Sequence, residues 1–197
     1  MEPFKIHILG CGSALPTLRH NPSAQVVEIR EKQFLVDCGE GTQLQMRRSK
    51  IGFNRLCAVF ISHIHGDHCF GLIGMLSSFG LLGRTMPLAI YAPKELKPVL
   101  DMLLETFCND FDYEIQFHAV DTKKRAVIYE DRSLTVESIP LKHREPCAGF
   151  LFREKEPPLN VEKFKIAKYG LTVAQITAAK RGEDVRLATG EELPHAE

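Results

Sequence analysis

The chain has 197 residues, its 25 Lys and Arg are matched by 25 Asp and Glu, and 44% of its residues are hydrophobic. That length makes one ordinary domain, or a domain with a small appendage, and the apolar content is enough for a real core. Zero net charge excludes a global basic field for nucleic acid or membrane surfaces, so any polyanion contact must come from local patches. The cysteines (Cys11, Cys38, Cys57, Cys69, Cys108, Cys147) show no C-x-x-C pair or framework spacing, and several sit in apolar runs as small hydrophobes. Without a signal-like start or an apolar run near the roughly 20 residues of a membrane span, the expectation is a cytoplasmic, reduced protein with no membrane segment.

In chain order, Phe4 to Leu9 reads as a first strand and enters the glycine-rich loop Gly10-Cys11-Gly12-Ser13-Ala14-Leu15-Pro16-Thr17. Such loops can cradle phosphate, but no helix or P-loop lysine pattern follows. Asn21-Pro22-Ser23 marks a turn before a second strand, Ala24 to Ile29. A tight reversal at Arg30-Glu31-Lys32-Gln33 leads to a third, Phe34 to Val36, and strands this close in sequence should pair antiparallel. Asp37-Cys38-Gly39-Glu40-Gly41-Thr42-Gln43 is a polar exit towards a helix from Leu44 to about Lys50. The apolar run Ala58-Val59-Phe60-Ile61 reads as a buried strand, followed by a helix from about Cys69 to Leu82 whose apolarity suggests burial or a subunit contact.

Leu88 to Tyr91 is another strand, and Lys94 to Phe107 an amphipathic helix that tolerates Pro98 only near its start. Strands are expected near Tyr113 to Val120, Ala126 to Tyr129, Leu134 to Ile139 and Gly149 to Phe152. The order suits a mixed α/β (α+β) domain, sheet inside and helices outside, over residues 1–156. From Pro157-Pro158 the character changes. Residues 157–197 read as an arm-like excursion, short-helical from Leu159 to Arg181, ending in a polar tail from Gly182 to Glu197 with no apolar period.

The densest chemistry lies in Ser62-His63-Ile64-His65-Gly66-Asp67-His68, directly after the apolar run. Imidazole nitrogen and carboxylate oxygen are the donors that Zn²⁺ and similar cations prefer. His63 and His65 are two apart, so on extended backbone both project to one side and can grip one ion. Gly66 can adopt dihedrals other residues resist, so the chain is expected to turn there and aim Asp67 and His68 at a second position. His143, just after the strand Leu134 to Ile139, reads either as a surface histidine or as a ligand brought in by the sheet. His7, His20, His118 and His195 carry no such context.

The pattern His-x-His-x-Asp-His after a strand resembles the metallo-β-lactamase superfamily. Within it, the chain resembles the ribonuclease Z family of tRNA 3′-processing endonucleases. Four segments carry the resemblance: Leu9 to Thr17; Asp37 to Gln43 with Gln45; Ser62 to His68 with Gly71-Leu72; and His143 followed by Gly149-Phe150. It implies an αββα sandwich, of which this chain would be the N-terminal portion. It also implies two Zn²⁺ ions, the first on His63, His65 and His143 and the second on Asp67 and His68, with Asp67 also the general base. The implied substrate is precursor tRNA, whose 3′ trailer would be removed, and the implied assembly is a homodimer. The stretch bearing Lys163, Lys165 and Lys168 would be the tRNA-gripping arm.

Two departures stand beside the resemblance. The family's Gly-Pro in the arm is not evident, and its later metal-bridging aspartate and final histidine have no clear counterparts, Asp184 and His195 being the only substitutes on offer. The chain therefore reads as truncated after the arm, with an apolar sheet face left uncovered. Two other functions remain open: a superfamily hydrolase of another ester (an aryl sulfate, cyclic nucleotide or lactone), and a non-catalytic fragment that binds RNA or another subunit.

Overall fold

The computed structural model describes residues 4–15, 17–108, 111–156 and 160–194. They divide into two compact units, Met1–Glu154 and Lys155–Glu197. The first unit is built on a six-stranded sheet of β1 (Lys5–Gly10), β2 (Ala24–Ile29), β3 (Lys32–Val36), β4 (Leu56–Phe60), β5 (Leu88–Ala92) and β6 (Ile115–Ala119), in that spatial order. β1, β2 and β3 form an antiparallel meander, whereas β3 to β6 run parallel. The reversal between β2 and β3 is tighter than expected: Arg30 and Glu31 alone make it, both at positive φ (47° and 65°), and Lys32 already pairs with Ile29. Two successive left-handed residues define the turn whose twist matches flanking antiparallel strands.

The sequence alternation along these strands becomes two cores. Val26, Leu35, Val59, Ile61, Leu88 and Ile90 face a cluster with Met46, Leu72, Met75, Leu76, Phe79, Leu96 and Leu100 from the helices α1 (Thr42–Arg48), α3 (Leu72–Leu81) and α4 (Leu96–Phe107). Their neighbours Val27, Phe34, Ala58, Phe60 and Tyr91 face the other way, towards a three-stranded antiparallel sheet of β7 (Ala126–Glu130), β8 (Leu134–Leu141) and β9 (Cys147–Glu154). Side chains in a strand alternate sides, so one sheet buries both faces without any residue serving twice. The inter-sheet core is aromatic: Phe60 stacks on Tyr91 (4.8 Å between centroids) and meets Phe150 and Phe152 at 5.3 and 5.5 Å.

The unit thus has three layers, helices, large sheet and small sheet. Among its described residues no second helical layer covers the small sheet. The outer face of that sheet is mixed: Val127, paired with Glu137, is 56% exposed. Glu137 there is flanked by Arg125 (2.7 Å) and Arg153 (4.0 Å). Further uncovered apolar surface lies on β1, where Ile6 and Ile8 are 57% and 59% exposed on the same face as Val27. The helix expected over Cys69 to Leu82 is two, α2 (Gly66–Cys69) and α3, separated at Phe70-Gly71.

In the second unit, α5 (Lys163–Tyr169) ends on Gly170 at φ 60°, and α6 (Val173–Lys180) starts with a reciprocal capping box between Thr172 and Gln175. The supposed tail is not featureless: β10 (Val185–Arg186) and β11 (Glu192–Leu193) pair antiparallel, with Val185 buried. Two-residue strands are too short to show a period in sequence. The boundary expected at Pro157-Pro158, the helix start expected at Leu159, and His195 all lie outside the described residues.

The sheets of the first unit are tied at one end by Asp131, in the turn between β7 and β8. Its carboxylate accepts from Lys32 Nζ on β3 (2.6 Å), Tyr129 Oη (2.8 Å), the Ser133 amide and hydroxyl (2.6 and 2.8 Å) and the Leu134 amide (3.0 Å). Burial alone would raise the pKa of Asp131, but these donors outweigh it and hold the carboxyl well below the usual carboxylate range. A depressed folded value means the stabilisation is present above the unfolded value of 3.8 and is lost as pH falls through the lower folded value. Asp131→Ala is expected to cost about 2–3 kcal/mol at neutral pH. Urea unfolding of the full-length protein checks this, and the gap from wild type should close as the medium is acidified.

Candidate metal centre

Because β3, β4 and β5 run parallel, their carboxyl ends emerge together at one edge of the large sheet. Asp37 follows β3 and is anchored there by its amide N–H on Phe60 O (2.8 Å). Ile61 follows β4 and is anchored on Tyr91 O (2.8 Å). The next residues, Ser62 to Ile64, are bends and not more strand, so His63 and His65 meet by folding of the loop and not by the two-residue strand period. From the other sheet, the β8–β9 connection delivers His143, and the Ala148 amide on Ser62 O (3.1 Å) fixes that connection against the loop.

His63 is buried, and its Nε2 lies 3.0 Å from Nδ1 of His65. The ring centroid of His143 is 4.7 Å from that of His63 and 5.5 Å from that of His65. One nitrogen from each of these three rings lies within 4.8 Å of the others. Two imidazole nitrogens on one tetrahedral zinc sit about 3.3 Å apart, so the trio fits a single ion with little adjustment. His68 is adjacent, its ring centroid 4.1 Å from that of His63, and its Nε2 lies 3.5 Å from Asp67 Oδ2. The structure therefore brings together the five residues named from sequence, as a trio and an adjoining pair.

Protonation is set differently in the two groups. Burial, then the surrounding rings of His68, His65 and His143, push His63 down to about 4, so at neutral pH it is the uncharged imidazole a cation requires. Burial also opposes charge on His68. There, however, the hydrogen bond to Asp37 and the charges of Asp37 and Asp67 prevail, and its pKa is raised.

Asp37 is the site residue that sequence reasoning passed over. It is buried and sits at positive φ (57°), a conformation Asp tolerates better than most. One oxygen accepts the Ser62 amide (2.9 Å); the other meets the Ser23 hydroxyl (3.0 Å) and Nδ1 of His68 (2.6 Å). A carboxylate on the far nitrogen of a histidine fixes the ring's tautomer and leaves the near nitrogen for a metal. Its signal was a carboxylate at a strand end, parallel to the strand that delivers the histidines.

The glycines nearby exist for close approach. A Cβ on Gly71 would stand 2.1 Å from Gly39 O, and one on Gly39 would stand 2.4 Å from Asp67 O. Gly66 needs correction: it is the first residue of α2 and is not among the positive-φ glycines. The Phe70 ring packs against it, and a Cβ on Gly66 would approach that ring to 2.3 Å and make it move. Of the remaining candidates, Lys163, Lys165 and Lys168 all lie on α5 of the second unit, Lys168 leaning on Tyr169. Asp184 immediately precedes β10. His7 lies 3.6 Å from Glu28, and His118 stacks on Tyr91.

Comparison with known proteins places this geometry. The family model described as Anti-Pycsar protein Apyc1 matches residues 4–158. Curated relatives named ribonuclease Z include that of Bacteroides thetaiotaomicron, 51% identical over 99% of this chain and 62% of the relative, and that of Porphyromonas gingivalis, 44% identical over 99% of this chain and 64% of the relative. The chain thus spans less than two thirds of the length of these relatives. Among solved structures, the short form of human tRNase Z aligns with TM-score 0.69 at 29% identity, covering 76% of this chain and 64% of that one. The metallo-β-lactamase-fold protein YhfI of Bacillus subtilis aligns with TM-score 0.57 at 21% identity, covering 78% and 58%.

Replacing Asp37 with Asn tests the support under His68. In metal-free full-length protein, the His68 titration followed by NMR should move down towards its ordinary value of 6.5. Since the wild-type value is raised, the pair's stabilisation is full below 6.5 and is lost as pH rises through the folded value. The stability gap between wild type and Asp37→Asn should therefore shrink on going alkaline. Metal affinity should fall by roughly 10- to 100-fold.

Proposed function

The chain belongs to the metallo-β-lactamase-fold family matched by the Apyc1 model, its curated relatives carry the name ribonuclease Z, and on that premise we propose that it is the N-terminal part of a metal-dependent endoribonuclease that removes the 3′ trailer of precursor tRNA. The observation that carries this is the meeting of His63, His65 and His143, with Asp67 and His68 adjoining, at the carboxyl ends of β3 and β4.

In this proposal the trio holds one Zn²⁺, and Asp67 with His68 holds a second. Bound divalent cations would supply Lewis acidity for water and countercharge for a phosphodiester. His63 contributes a nitrogen that is neutral at working pH. Asp37 keeps His68 oriented with its Nε2 towards Asp67. Asp67, its side chain only 11% exposed, would accept the proton of the attacking water as general base. Metal analysis of purified protein tests both the identity and the number of the ions.

We assign residues 1–156 to the catalytic core and 157–197 to an arm that meets tRNA phosphates through Lys163, Lys165 and Lys168. Such contacts give salt-sensitive affinity independent of sequence. The whole protein is proposed to act as a homodimer in the cytoplasm; among the described residues no helix is long and apolar enough to cross a membrane. A second reading, hydrolysis of another ester such as an aryl sulfate, cyclic nucleotide or lactone, is favoured by one finding. The family model carries a description other than that of a tRNA-processing enzyme.

His63→Ala or His65→Ala in the full-length protein should abolish both bound metal and cleavage of precursor tRNA. Retained zinc, read by elemental analysis, would refute the ligand assignment, and turnover of small esters without tRNA trimming would favour the second reading. Neutralising Lys163, Lys165 and Lys168 together should weaken tRNA binding and reduce the slope of log affinity against log salt by about 2–3, while sparing a small phosphodiester. Equal loss on both substrates would instead mean misfolding.

A further inference from the structure

Beside the histidines runs a cleft of about 470 Å³ whose walls include Ala14, Pro22, Glu40 and Phe70 as well as His65 and Asp67. Phe70 is 72% exposed. Exposure of a single apolar side chain ordinarily says nothing. Here, though, the ring lines the cleft and packs over Gly66, where a Cβ would meet its Cε2, Cζ and Cδ2 at 2.3, 2.6 and 2.7 Å. The ring thus lies flat against the bare backbone between His65 and Asp67 and keeps a face that solvent can reach. Glu40 is exposed on the same cleft, and its carboxylate has no hydrogen bond or ion pair among the described residues.

We propose that this cleft is a base-binding subsite, in which Phe70 stacks on the nucleobase adjoining the scissile phosphate and Glu40 accepts hydrogen bonds from that base's edge. The assignment rests on the nuclease reading and deepens it. Base–aromatic stacking is open to every base, because each has a π-face. A carboxylate discriminates further, since it only accepts. Guanine alone offers two adjacent N–H donors on its Watson–Crick edge, so Glu40 favours guanine over bases that set a carbonyl or ring nitrogen beside their donor. The volume suits one nucleotide and not a helical segment, so selection acts on one residue of the transcript. Phe70 is a positioning residue: its ring holds the base while the histidine cluster faces the neighbouring phosphate.

The test uses full-length wild type, Phe70→Ala, Phe70→Trp and Glu40→Gln, each checked for metal content. Substrates are precursor tRNAs carrying each base, or an abasic site, at the nucleotides flanking the cleavage position. A short oligoribonucleotide with 2-aminopurine reports stacking by fluorescence quenching. Phe70→Ala is expected to lower kcat/KM roughly five- to a hundred-fold on base-bearing substrates, the range for one lost stack, with Phe70→Trp restoring the rate. The penalty should collapse on the abasic substrate, and quenching should disappear with the ring. Glu40→Gln should erase the preference for guanine.

An equal penalty with and without the base would overturn the stacking role, as would an unchanged rate and unchanged quenching. An unaltered base ranking in Glu40→Gln would overturn the role of the carboxylate. Quenching that depends on Phe70 in a protein that does not trim precursor tRNA would keep the subsite and remove the nuclease reading. Trimming indifferent to Phe70 would do the reverse.

Discussion

The site depends on one buried carboxylate. Asp37 ends β3 and in three hydrogen bonds holds the amide that begins the histidine loop, the hydroxyl of Ser23 ahead of β2 and the imidazole of His68. Each partner comes from a different segment. A buried carboxylate must be met by donors or it becomes costly, so its burial and the order of its partners are one fact. Because the donors include both the start of the loop (Ser62) and its end (His68), the residues between them are held at both limits. His63 and His65 are thereby presented to each other before any ion arrives.

That presentation needs the sheet pair behind it. The alternation of Phe34/Leu35, Ala58/Val59 and Ile90/Tyr91 gives the large sheet a helical core on one face and an aromatic inter-sheet core on the other. The inter-sheet core sets how far β9 lies from β4, and the Ala148 bond to Ser62 O carries that distance to the rim, where His143 hangs. A substitution deep among Phe60, Phe150 and Phe152 would therefore reach the metal geometry through the position of one loop. The close approach of Gly71 to Gly39 O, and of Gly39 to Asp67 O, does the same for α2, holding its backbone against the Asp37 loop.

What could be read from sequence follows from how local each determinant is. Ala24 to Ile29 came out with its bounds unchanged because alternation and flanking turns lie within a few residues of one another. The histidine motif was legible because its members are contiguous. Asp37 was not, since its meaning lies in partners 25 and 31 positions away across parallel strands. Gly66 was noticed for the wrong reason: a glycine in a motif suggests a turn, whereas it starts α2 and lies under the ring of Phe70 four residues on. His143 had only a weak local signal, its place just after a strand, and resemblance decided between a surface histidine and a ligand. The β10–β11 ribbon was missed because two-residue strands cannot display a period.

The donor inventory separates two properties that are usually measured together. On the proposed assignment, His63, His65 and His143 would give one ion three nitrogens, within 4.8 Å of one another, of the four donors zinc prefers. Asp67 and His68 give the second position two donors, short of that number. The first position is thus one donor short of four, and the second two short. Metal retention at the first position then depends on the β4 loop and the β8–β9 connection. Hydrolysis by the proposed two-ion route would draw on both positions, whereas metal retention would draw mainly on the first.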